Sequence, residues 1–408
     1  MNAALETALP VRPYLTAGLP GTGGVIKESC DDFRVEEIPS YLPCGSGDHA
    51  YLVVEKRGIA TLEAIHRIAR HLGVPERAIG YAGMKDSAGV TRQTISIEHI
   101  KPETVEGLEL DGLKVVSASR HTNKLKLGHL KGNRFRIVIR GITANAGEIV
   151  PAVLEILEQR GVPNYFGHQR YGSQGNSHLI GAAMLRHDWQ GATDRLMGEQ
   201  VAVRDEQWRA GIEAYQQGDL ARALELFPRH CRSEREVLQR LVARPDGFER
   251  AFSAIHPRLK KLYLSAVQSW FFDQVVEQRI EHIDALLPGD LAWKHVNGAC
   301  FLVEDADGEA ERARTFEISA SGPLFGCKMK QPAGRPLEIE QQVLDHGRIR
   351  PADFDMAGGL RMEGERRPLR VPLTEPSFTV AEDALLLEFS LPKGSYATSL
   401  VREITKAF

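Results

Sequence analysis

Residues 133–140 (NRFRIVIR) alternate without a break: Asn133, Phe135, Ile137 and Ile139 fall on one face, and Arg134, Arg136, Val138 and Arg140 on the other. A period of two predicts a strand with one packed face and one wet face. Residues 31–57 read as a strand, a Gly/Pro turn and a second strand around Tyr51–Glu55, and alternation returns at Gln93–Glu98 and Ala384–Ser390. Between them lies a helical stripe of Leu62, Ile65, Ile68, Ala69 and Leu72, with Thr61 placed to cap it and Gly73 and Pro75 to stop it. From about Gly161 to Arg366 helical signals dominate. Candidate helices span 147–160, 205–226 and 257–283, the last carrying Leu259, Leu262, Ala266, Trp270 and Val275 at helical spacing. In LPKGSYATSLVREIT, Ser395 or Thr398 is placed to cap a closing helix. Helices and strands mix without a βαβ period, which predicts an α+β fold rather than a doubly wound sheet.

A chain of 408 residues fits two or three domains. Its 42% hydrophobic and 26% charged residues exclude wholesale disorder. No run approaches eighteen apolar residues, so no membrane span is expected, and residues 1–15 lack a signal-peptide pattern, which predicts a cytoplasmic protein. The 51 Lys+Arg and 54 Asp+Glu leave a net charge of −3, which at first argues against a nucleic-acid partner. Counting by region changes that picture. Residues 121–140 hold Lys124, Lys126, Lys131, Arg134, Arg136 and Arg140 and no acid, whereas 303–311 hold five acids and no base. Six cations in twenty residues suit a phosphate backbone. The five cysteines are scattered, and neither a Cys-x-x-Cys pair, an H-E-x-x-H motif nor a phosphate loop occurs, so no metal, disulfide or nucleotide cofactor is expected.

The glycine-rich segment GYAGMKDSAGVTRQ, residues 80–93, is the leading candidate for chemistry. Asp86 follows Lys85 directly and precedes Arg92 by six residues, and nearby cations keep a partly buried carboxylate ionised. The plainer alternative is a surface turn with an incidental Lys-Asp pair. In the basic strand Phe135 is placed to stack on an exposed base, while Asn133 offers a donor and an acceptor. The plainer alternative there is that Phe135 continues the core face of Ile137 and Ile139.

Together the strings DDFRVEE, GYAGMKDSAGVTRQ, KGNRFRIVIR, PNYFGHQRYG, LYLSAVQSWFF and LPKGSYATSLVRE resemble, in content and order, the TruD family of tRNA pseudouridine synthases, from about residue 16 to 405. The resemblance implies a pseudouridine-synthase catalytic core, an antiparallel sheet flanked by helices, interrupted by a large mixed α/β insertion domain. The core would comprise residues 1–160 and 367–408, and the insertion 161–366. It implies an isomerase that detaches uracil from its ribose in tRNA, rotates it and rejoins it through carbon 5, at position 13 of the D arm, with one aspartate and no cofactor. That aspartate falls on Asp86. The flipped base would be held by Phe33, Asn133, Phe135 and Tyr396, with Lys27 near the site, and Lys85 and Arg92 complete the expected substrate-binding set. Ser87 and Tyr171 depart from residues common in relatives, and residues 300–355 match most weakly. Two other classes make different demands: a tRNA-folding chaperone would work without Asp86, and a nucleoside hydrolase would release free uracil.

Overall fold

The computed structural model describes residues 12–407, so the reading of residues 1–15 as free of a signal falls mostly outside it. The chain folds into two compact units. Among the described residues, one is Thr16–Val162 with 371–407; the other is Pro163–Arg370 with residues 12–15. Arg12 shows why these first described residues do not group with the rest of 1–160. Its guanidinium donates to the Asp273 carboxylate at 2.5 Å and to the Phe166 carbonyl at 2.7 Å.

In the unit of Thr16–Val162 and 371–407, a ten-stranded sheet runs in the order Thr374–Ala381, Ala384–Pro392, Leu130–Arg140, Phe33–Pro39, Val90–Glu98, His49–Arg57, Leu113–His121 and Glu109–Leu110. Short strands Val25–Ile26 and Ile79–Tyr81 pair onto it from the side. Every pairing is antiparallel except Phe33–Pro39 against Val90–Glu98. A parallel neighbour needs a long crossover, and the chain makes it through His49–Arg57 and helix Thr61–Leu72. That helix buries Ala64, Ile65, Ile68 and Ala69 against Ala50, Leu52, Val54, Ile95 and Ile97. Helices Ala146–Arg160 and Ala397–Thr405 pack on each other in the same unit.

Two caps differ from the sequence pattern. Helix Thr61–Leu72 has Ala60 at its N-cap, because the Thr61 hydroxyl is engaged elsewhere, donating to Gln93 at 2.9 Å. Helix Ala397–Thr405 has Tyr396 at its N-cap with no side-chain cap bond, so neither Ser395 nor Thr398 serves there.

The other unit is mostly helical. Its longest helix, Pro257–Arg279, is buried nearly all round from Tyr263 onward, so a single stripe describes it poorly, and Leu262 is exposed. The helix expected over 205–226 is two, Glu206–Gln216 and Leu220–Leu226. Gly218 breaks it with a φ of 80° and Asp219 caps the second half. A four-stranded antiparallel sheet of Cys300–Leu302, Leu291–Lys294, Ile318–Leu324 and Glu365–Pro368 completes the unit.

Asp273, 1% exposed, also accepts from the Tyr171 hydroxyl at 2.5 Å and the Phe166 N–H at 3.0 Å. Removing one partner of such a buried pair costs about 3–5 kcal/mol. Beside it His178 stacks on Trp270, ring centroids 4.4 Å apart, with both ring nitrogens buried and unpartnered among the described residues. Burial, aided by the Arg12 charge, pushes its imidazole down to about 3 from the ordinary 6.5. The native state therefore refuses a proton that the unfolded chain accepts below 6.5. Stability to urea is expected to fall as pH drops from 6.5 toward 3. A His178→Phe variant should lose part of that slope, and urea midpoints of both proteins between about pH 7 and 4.5 check it.

Candidate active site

Side chains in register share a sheet face, and successive ones alternate. The pairings Phe33↔Ile137, Val35↔Phe135 and Glu37↔Asn133 put Phe33, Phe135, Asn133 and Glu37 on one face. Val35↔Thr91 and Lys56↔Thr91 add Thr91, Gln93 and Lys56 to it. The loop carrying Asp86, between Tyr81 and Val90, lies over this face. The Lys85 N–H donates to the Thr61 hydroxyl at 2.9 Å, and that hydroxyl donates to Gln93. The Lys85 ammonium pairs with Glu37 at 2.8 Å. Lys56 donates to the Asp86 carbonyl at 2.7 Å.

Two of the three glycines of this loop, Gly80 and Gly89, pass close against the protein's own backbone, whereas Gly83 has only ordinary contacts. A Cβ at Gly89 would collide with the Phe33 carbonyl, and one at Gly80 with the Leu125 carbonyl.

The Asp86 carboxylate is ion-paired with Lys27 and accepts from the Ala88 N–H at 3.0 Å. Burial pushes its pKa up, but the Lys27 hydrogen bond and charge, with the Ala88 and Ser87 N–H groups, outweigh that and hold it below 3.8. Lys27 itself has a φ of 64°, a region non-glycine residues enter at a cost, and its ammonium lies 4.2 Å from the Phe33 ring centroid. Phe33 and Phe135 are 5% and 6% exposed, with ring centroids 6.4 Å apart, and Phe135 stacks on Phe389 at 5.2 Å. The two rings form a floor rather than open platforms. Asn133 Oδ1, Thr91 Oγ1 and Gln93 Nε2, on the same face, are buried without partners among the described residues. Buried polar atoms are usually hydrogen-bonded, so these three are free to bond a group placed on this face.

The structure thus brings Lys27, Phe33, Asp86, Asn133 and Phe135 to one face. Tyr396 is half-buried at the start of helix Ala397–Thr405, just beyond the strand whose Leu391 pairs with Asn133. Lys85 and Arg92 are placed differently. Lys85 is buried against Glu37, so the cation that acts on Asp86 is Lys27 rather than its chain neighbour. Arg92 is in register with Glu36 and Glu55 on the opposite face and pairs with Glu55 at 2.7 Å. That opposite face holds an open groove of about 190 Å³ lined by Arg34, Arg92, Arg134 and Arg136 among acids such as Glu388. Three of the six cations counted in 121–140 face carboxylates: Arg134 faces Glu375, Arg136 faces Glu388 and Arg140 faces Asp32. Among the described residues no group of three or more His, Cys, Asp or Glu converges as a metal site.

Residues 11–404 match the family described as tRNA pseudouridine synthase D (TruD). The chain belongs to the TruD family of tRNA pseudouridine synthases. It is 62% identical to tRNA pseudouridine synthase D of Geobacter metallireducens, over 96% of this chain and 97% of that protein. It is 38% identical to the Thermus thermophilus protein of the same name, over 97% and 92%. The crystal structure of a Methanosarcina mazei protein assigned to the same name superposes with a TM-score of 0.84 at 26% identity, covering 97% of this chain and 96% of that one. The α+β fold is therefore that of TruD proteins.

The sequence pattern does not single out Lys56, Glu37, Thr61 or Gln93 as parts of a site. For Lys56 a signal is nonetheless present: it continues the buried phase of Ala50, Leu52 and Val54, where a lysine is out of place. If Lys27 is what holds Asp86 ionised, Lys27→Met should raise the Asp86 pKa. It should lower turnover of a tRNA substrate by roughly 10–100-fold, with the deficit largest at acid pH. A pH profile of single-turnover rates for both proteins checks this.

Proposed function

We propose that this chain converts uridine 13 in the D arm of tRNA to pseudouridine, in the cytoplasm, with Asp86 as the catalytic group. The N1–C1′ glycosidic bond breaks, uracil turns within the site, and a C5–C1′ bond forms. The C5 proton is lost and N1 regains one, so atoms balance without an oxidant or cofactor. Asp86 can serve by attacking C1′ of the ribose, by attacking C6 of the base, or by promoting elimination at the sugar. Each route begins from the ionised carboxylate. The observation that carries the proposal is the Asp86 carboxylate itself, held ionised by Lys27 beside Phe33 and on the same face as Asn133 and Phe135.

In this reading the sheet unit is the catalytic core and residues 163–370 are the insertion domain. Phe33 and Phe135 form the floor under the flipped base, Asn133 Oδ1 accepts from the base or orders the loop, and Tyr396 closes the site. Flipping costs a few kcal/mol, offset by stacking and by phosphate contacts. For those contacts Lys126 and Lys131, both exposed and without a carboxylate partner among the described residues, are better placed than the paired arginines.

Asp86→Asn removes charge and not size. It should abolish pseudouridine formation, read by carbodiimide labelling and primer extension on tRNA transcripts, while tRNA affinity changes less than about threefold. Full activity in that variant would overturn the assignment. Rescue of a tRNA-folding defect by the inactive variant would favour the chaperone instead.

A further inference from the structure

Lys56 is 1% exposed, and no carboxylate pairs with it among the described residues. An ammonium buried without a counter-ion is costly unless strong acceptors replace its water. Lys56 has two, the carbonyl of Asp86 at 2.7 Å and the carbonyl of Ile59 at 2.6 Å. Ile59 lies on the approach to helix Thr61–Leu72, so one cation ties strand His49–Arg57, the helix entry and the loop of Asp86 together. The next bond outward repeats the design, since the Lys85 N–H is held by Thr61 at the first position of that helix. The backbone is therefore gripped at Lys85 and at Asp86, while the carboxylate itself is held by Lys27 and the Ala88 N–H.

We propose that Lys56 is a positioning residue for Asp86: its ammonium fixes the peptide plane from which the carboxylate projects and so sets its aim at the ribose or base. The role rests on Asp86 being the catalytic group. It does not require Lys56 to touch RNA, and its burial prevents that. A misplacement near 1 Å at the reacting centre costs on the order of 100-fold in rate, so a tether on the loop acts on turnover rather than affinity.

The tether is also titratable. Burial lowers the Lys56 pKa to about 8; Asp86, the carboxylate facing it, opposes that shift, and Lys85, the neighbouring cation, adds to it. Lys56 is charged at neutral pH and loses its proton as pH rises through about 8. The neutral amine donates weaker bonds to the two carbonyls.

The test is a single-turnover rate and a tRNA dissociation constant for wild type, Lys56→Met and Lys56→Arg, from about pH 6 to 9.5. Lys56→Met is expected to lower the rate at neutral pH by about tenfold or more, with affinity changed less than about twofold. The wild-type rate should fall above about pH 8 without a matching loss of affinity, and in Lys56→Arg, whose charge persists, that limb should move to higher pH. Ionisation of the substrate is common to all three proteins and cannot move the limb between them. An unchanged rate in Lys56→Met, a parallel loss of affinity, or a wild-type rate flat to about pH 9.5 overturns the proposal. If neither variant folds, the wild-type profile decides by where its limb falls: a limb centred near pH 8 supports the tether, and a flat profile or a limb centred above about pH 9, where the uracil ring itself ionises, refutes it. Asp86→Asn is run alongside; activity there would refute the reading of Asp86 and not the tether alone.

Discussion

Taking a carboxylate partly out of water raises its pKa unless cations or N–H groups make good the lost hydration. At Asp86 the compensation comes from Lys27, through space, and from the N–H groups of Ser87 and Ala88, within the loop. Much of the sheet unit serves to keep these groups in place. The parallel pair Phe33–Pro39 and Val90–Glu98 brings the segment after Lys27 beside the strand that follows the Asp86 loop. Gly89 allows the loop to pass directly over the Phe33 carbonyl, where any side chain would collide. The buried Lys85–Glu37 pair then locks the loop to the neighbouring strand.

How much of this was legible in the sequence depended on whether the signal was local. The alternation in 133–140 matches burial almost residue by residue, because one face of that strand is core and the other solvent. Asp86 stood out because a Gly-rich loop with adjacent charges is a local feature. Which cation acts on it was not local. Lys85 is adjacent in sequence but turns to Glu37, while Lys27, 59 residues away, makes the contact. The same limit misplaced Arg92, since one step along a strand reverses the face. Thr61 illustrates a competition: its hydroxyl suits a helix cap, but a loop N–H and Gln93 engage it instead.

Charge followed a similar course. A net charge of −3 hides a strand region rich in cations, yet the structure gives its three arginines acidic partners. Two of these pairs, Arg134–Glu375 and Arg136–Glu388, are exposed and individually weak, while the third holds the buried Asp32, so together they temper the local potential without abolishing it. Fewer unpaired cations mean fewer counterions released on binding. Such an arrangement predicts a modest salt dependence of RNA binding, with shape carrying more of the recognition.

The most direct measurement uses a tRNA transcript carrying uridine tritiated at carbon 5 only at position 13. Joining C5 to the ribose must expel that hydrogen, by any of the three routes proposed for Asp86. Conversion of uridine 13 by this chain should release tritium to solvent in a one-to-one ratio with pseudouridine formed, with no free uracil. Free uracil in the products, or tritium retained while the transcript is consumed, would contradict it.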